Sequence, residues 1–239
     1  MAVNNRLAQA PEPEKGVTEY ECGGQIVKIS PNLIKKYLVN GNGAVTDQEV
    51  MMFLSLCKFQ KLNPFLREAY LIKYGNQPAT IVTGKEALQK RAMRNPNYAG
   101  LEAGVVVSFP ETGQMENRVG TIVLDGEDLV GGWAKVYVKG WEHPLTVTVA
   151  FNEYVGRKSN GEINSQWATK PATMIRKVAL VQALREAFPE DLAGMYAAEE
   201  VGAAGDLPVD IVPDEVIEAD VTEAPVEPEP NAADALFGR

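Results

Sequence analysis

Between Trp167 and Arg185 the sequence sets cations and a flat ring at spacings that suit a repeating anion. Taken as a helix at 100° per residue, the stretch projects Lys170, Lys177 and Arg185 within an arc of about 80°, with Arg176 roughly a quarter turn away. No acid interrupts that arc, so the three cations repel one another unless something negative lies across them. The phosphates of a nucleic-acid strand are such a partner, and Trp167, just ahead, offers a face to a base. A plainer reading stands beside this one: the basic side chains of an ordinary helix snorkel to water, and a tryptophan at its start packs into the core.

Bond-making chemistry finds less support. Ile81-Val82-Thr83-Gly84-Lys85 suggests a strand running into a phosphate-binding loop. However, Ala79 stands where that loop needs its first glycine, and Glu86 replaces the Ser or Thr that would ligate magnesium. His143 is the only histidine; beside Pro144 at a strand start it reads as a turn residue rather than a general base. The dense acidic group Asp125-Gly126-Glu127-Asp128 reads as a solvated hairpin tip rather than a metal-binding carboxylate cluster. Cys22 and Cys57 form no CxxC pair, which fits two reduced thiols in a cytoplasm. No catalytic residue, metal or cofactor is expected. No apolar run approaches the ~18 residues of a membrane span, and residues 1–15 are too polar for a signal peptide.

A net charge of −9 argues at first against nucleic acid, but its distribution reverses the argument. Residues 201–239 carry ten acids and one base, which is the whole of that charge. Between Lys28 and Phe188 there are 20 basic and 14 acidic residues, so the middle of the chain is mildly basic.

The elements that must position these groups follow from local patterns. Residues 1–18 read as a disordered lead-in. Tyr20–Ile29 suggests a hairpin about Gly23-Gly24, and Pro31–Leu38 a short helix. Thr46-Asp47-Gln48-Glu49 is a capping box, and Val50, Phe53, Leu54 and Cys57 follow at helical spacing to about Lys61. Leu62-Asn63-Pro64 stops that helix. Strands are expected at Ala69–Tyr74 and Ala79–Val82; Thr83-Gly84-Lys85-Glu86 then repeats the capping pattern ahead of a helix to about Arg94. Val105–Phe109, Arg118–Leu124, Leu129–Val138 and Leu145–Ala150 read as an antiparallel meander. Pro171 opens a helix over 171–188, apolar nearly all round and so buried on two sides, and Pro189 ends it. The fold class is α+β: a β-meander packed with helices, a core at 19–202, and a disordered acidic tail at 203–239. That tail, closing on Ala235-Leu236-Phe237, reads as a solubilising segment, a mimic of DNA or a docking segment for another protein.

Leu62-Asn63-Pro64-Phe65 leading to Glu68-Ala69-Tyr70 resembles the LNPxxxExY signature of the RecT/Bet single-strand annealing proteins. Trp167, Pro171, Met174, Arg176, Ala179, Gln182, Arg185 and Phe188 are similar to that family's second block. Val136-Tyr137-Val138-Lys139 with His143-Pro144 lies between them at the family's spacing. The resemblance covers roughly residues 45–200. It implies annealing of complementary strands without ATP, binding of single-stranded DNA and of the new duplex, and assembly into rings or helical filaments. It also implies an exonuclease partner and a bacterial cytoplasm, that of a host to a phage or prophage. Carried over by position, Lys139, Arg176 and Arg185 are the DNA contacts the resemblance implies. Charge alone adds Arg67, Lys73, Lys85, Lys170 and Lys177, and Trp167 either braces the groove or touches a base. Where some members carry a C-terminal helical domain for partner binding, this sequence has only its acidic tail. A coat protein that binds single strands without annealing them is the rival reading; a nuclease or other DNA-modifying enzyme is disfavoured by the lack of clustered carboxylates.

Overall fold

Gly23 and Gly24, both at positive φ, make a two-residue turn between strands β1 (Thr18–Cys22) and β2 (Gln25–Ile29), where a side chain would be strained. The computed structural model describes residues 16–158 and 160–200. Of the disordered lead-in expected at 1–18, residues 1–15 lie outside the described residues, as does the tail from 203, while Thr18 is already the first residue of β1. Those described residues fall within one compact unit, residues 1–207.

After the hairpin, Ser30 caps α1 (Pro31–Tyr37) by accepting the Leu33 N–H. The chain then passes through β3 (Val39–Asn40) to α2 (Asp47–Gln60). The capping box at Thr46 forms as expected, with Glu49 N–H donating to the Thr46 hydroxyl and Thr46 N–H to the Glu49 carboxylate. A 3-10 turn (Pro64–Leu66) follows α2, and β4 (Ala69–Ile72) and β5 (Thr80–Thr83) complete a small sheet in the order β3-β4-β5, with β3 parallel to β4.

The second expected capping box does not form. α3 (Lys85–Met93) is capped by Gly84 without a side-chain bond. Thr83 is the last residue of β5, paired with Ala69, and its N–H donates to the Tyr196 carbonyl. Its backbone is committed to the strand, so its hydroxyl lies buried without a partner.

Four strands, β6 (Tyr98–Ser108), β7 (Met115–Val119), β8 (Asp128–Val138) and β9 (Leu145–Ala150), form one antiparallel sheet where a meander was expected, β7 lying earlier than the expected Arg118–Leu124 and sharing only Arg118 and Val119 with it. Their order is β7-β6-β8-β9, so β8 returns past β7 to pair with β6. Two eleven-residue strands pairing along their length win over a five-residue, mostly exposed one, which is left at the edge. Val105-Gly132-Val149, Ala103-Ala134-Val147 and Leu101-Val136-Leu145 stand side by side across β6, β8 and β9. Their side chains point to one face, and α6 (Pro171–Ala187) lies on it.

The fit of α6 depends on Gly132. A Cβ there would stand 2.6 Å from the Ile175 carbonyl oxygen, so the helix backbone rests directly on β8. Met174, Ile175, Val178, Val181 and Leu184 are buried between the sheet and the smaller helices, which accounts for the apolar residues all round. Two short helices, α4 (Phe151–Tyr154) and α5 (Ser165–Thr169), bring the chain from β9 to the start of α6.

Candidate nucleic-acid interface

The turn after α2 is built by its own side chains. Asn63 accepts the Phe65 N–H at 3.0 Å and so caps the 3-10 turn. The Asn63 N–H donates at 2.7 Å to Glu68, whose other oxygen takes Lys90 at 2.8 Å. Leu62 and Pro64 are buried beneath. The segment therefore presents Arg67 on the surface, in the left-handed region at φ 55°.

Arg67, Lys85, Lys177 and Arg185 come into one neighbourhood. Burial and then Glu199 push the Tyr70 phenol up to about 12, with Arg67 opposing. Burial pushes the Glu86 carboxyl up, but its own backbone N–H, Lys85 and Lys177 bring it below the usual range. Each of three cations here holds a carboxylate: Lys85 reaches Glu86 at 3.1 Å, Lys177 reaches Glu199 at 2.8 Å, and Arg185 holds Glu200. The Arg185 guanidinium also lies over the Tyr196 ring, 4.6 Å from its centroid.

The acid-free arc expected along α6 is thus closed by acids from outside the helix. Residues beyond Pro189 fold back, the Tyr196 carbonyl joins β5, and Glu199 and Glu200 meet α6. The pair of adjacent acids was legible in the sequence; their return to the helix was not.

The remaining residues lie in different settings. Lys73 is 7% exposed and forms a close ion pair with Glu49 at 2.7 Å. Arg176 crosses to the sheet, donating from Nε to the Ala103 carbonyl at 3.1 Å. Lys170 is exposed at the start of α6. Lys139 is exposed beside the end of α3, its Nζ donating to the Pro96 carbonyl at 2.7 Å. Trp167 is 1% exposed and meets Phe151 edge-on, so its ring lies inside the core. Gly156 leaves room for it, since a Cβ there would come within 2.9 Å of the indole.

At the acidic hairpin tip the structure departs from a fully solvated loop. Glu127 turns back to hold Arg118 at 2.6 Å and accepts the Leu124 N–H. Arg118 first, then that N–H, hold its carboxyl below the usual range. Among the described residues no group of three or more His, Cys, Asp or Glu side chains is placed to hold a metal ion, and no helix is long and apolar enough to cross a membrane.

A family model described as the RecT family matches residues 24–217. That span takes in the turn after α2, both larger sheets' strands and all of α6. An uncharacterized protein of Ureaplasma parvum serovar 3 is 28% identical over 165 residues, which make up 67% of this chain and 65% of that protein. The chain therefore matches just under two thirds of that relative's length.

Proposed function

This chain belongs to the RecT family, and from that premise we propose that it binds single-stranded DNA and anneals complementary strands in phage-type homologous recombination, without ATP. The observation that carries this reading is the family match over residues 24–217, which runs through both the turn at Leu62–Glu68 and the basic helix α6. Annealing makes and breaks no covalent bond. The protein has only to neutralise backbone repulsion, hold one strand extended and offer it to a second.

Within this reading the exposed Lys139 and Lys170 meet phosphate directly, and Arg67 adds its charge from the surface of the turn. Lys85, Lys177 and Arg185 exchange or share their carboxylates, and Arg176 uses the guanidinium N–H groups not given to Ala103. Lys73 and Trp167 shape the surface from inside it. The family also points to retention of the annealed duplex, assembly into a ring or helical filament, an exonuclease that exposes the strand, and action in the cytoplasm of a bacterial host.

The test uses two complementary oligonucleotides, one carrying a dye and the other a quencher, mixed with the protein and no nucleotide. Pairing well above the protein-free rate is expected. Tight binding of each strand with no gain in pairing rate would leave a coat protein instead.

A further inference from the structure

Around α6, Lys85, Lys177 and Arg185 are committed to carboxylates, whereas in a second group of four cations only Lys90 is. The C-terminal ends of α2 and α3 converge on a shallow pocket rimmed by Lys61, Lys90, Arg91 and Arg94. Lys61 and Arg94 are exposed, and among the described residues neither side chain forms an ion pair. Two acids stand near. Glu68 is held by Lys90 and the Asn63 N–H; Asp191 takes the Asn95 amide on its side chain and Arg91 on its carbonyl. Four cations against two acids leave the rim positive. The Cys22 thiol, raised first by burial and then by Glu68, is pulled the other way by Lys90, Arg94 and Lys61, which places all three around one point.

Basic residues at helix C-termini complement the helix dipole, and that accounts for Lys90 and Arg91. It favours Lys61 at the C-cap of α2 in the same way, but it does not explain that residue's backbone angle. This residue ends α2 at φ 50°, a conformation that favours glycine or asparagine and is costly for a longer side chain. Among the described residues only Lys61 and Arg67 are non-glycine residues with positive φ; both are cations, and they bracket the turn Leu62–Leu66. Strained backbone of this kind collects at functional positions. Met93, 58% exposed, stands next to Arg94 in sequence and offers apolar surface to bases.

We propose that Lys61, Lys90, Arg91 and Arg94 form a phosphate-binding surface for the DNA backbone, extended by Lys139 just beyond the end of α3. The inference rests on the single-strand binding proposed above and locates its main electrostatic contact. A cation surrounded by water gains a phosphate by releasing counterions, whereas Lys177 or Arg185 must first loosen a carboxylate.

The experiment titrates a labelled single-stranded oligonucleotide with the full chain across a salt series, comparing wild type with Lys61→Asn/Arg94→Gln. Asparagine keeps the left-handed turn, so the thermal midpoint should hold. Each lost phosphate contact should reduce the slope of log affinity against log salt by about 0.7, so the double variant should lose about 1.4 and bind on the order of 10-fold more weakly near 0.1 M salt. Lys158→Gln, which removes a cation paired with Glu162 elsewhere, should leave the slope unchanged. If the double variant fails to fold, Arg94→Gln alone is read in the same way. A folded variant with the wild-type slope overturns the surface, even if wild type anneals. A flattened slope without annealing by wild type upholds the surface and removes the annealing reading. Absence of binding by wild type overturns both.

Discussion

At the scale of single residues, Glu49 carries more than its place in a capping box requires. It accepts from the Thr46 and Ala79 N–H groups and both its oxygens take Lys73, which is almost fully buried. Lys73 first, then those two N–H groups, hold its carboxyl down at about 2 against the opposing effect of burial. A carboxyl lowered in the folded state contributes stability that is complete above its ordinary value of about 4.5 and is lost as pH falls toward 2. Glu49→Gln should therefore flatten the acid limb of stability against pH. It should also cost about 3 kcal/mol at neutral pH, because it leaves Lys73 buried without its counter-charge. Denaturant unfolding between pH 2 and 7 reads both effects, and an unchanged acid limb would locate the loss elsewhere. Cys57 makes a second case. Burial pushes its thiol up to about 12, with the Tyr20 hydroxyl opposing, so the reactive thiolate is scarce. A thiol reagent at pH 8 should leave Cys57 unmodified in the folded protein and modify it after denaturation, as read by peptide mass.

At the scale of elements, two helix starts with the same sequence pattern behave differently, and mutation should separate them. Thr46→Ala removes a working cap and should cost about 1 kcal/mol. Thr83→Val replaces a buried hydroxyl that bonds to nothing, so it should be neutral or stabilising in thermal unfolding. Gly132→Ala should destabilise by about 1–3 kcal/mol, since its methyl group meets the α6 backbone rather than a side chain that could move. These cases mark what the sequence made legible. The span of α2 was readable from Thr46-x-x-Glu49 and the stop at Leu62-Asn63-Pro64, because both signals are local. β6 begins seven residues before the expected Val105, its first half lacking simple alternation across the irregular register at Gly100. α4 and α5 are four and five residues long, too short to show a helical period. The cations of α6 were readable, but their counter-ions were not: Glu199 and Glu200 reach Lys177 and Arg185 only after the chain has turned back at Pro189, a tertiary event with no local pattern. Lys61 escaped notice because its unusual feature is a backbone angle, not a residue type.

At the scale of the whole molecule, charge is divided along the chain, and this can be tested without assigning the tail any structure. Removing residues 203–239 takes the net charge from −9 to zero. The truncated protein should bind single-stranded DNA more tightly at low salt, and the difference should fade as screening grows. Coincident binding curves at low salt would show that the tail has no electrostatic role. The return of residues 195–200 onto α6 and β5 bears on how the protein is made. The helix is complete at Ala187, but the carboxylates that neutralise it are not translated until Glu200, on the order of a second later. Until then Lys177 and Arg185 lack the carboxylates that hold them in the folded chain. Glu199 and Glu200, the last two described residues, thus complete the ion pairs of a helix made before them.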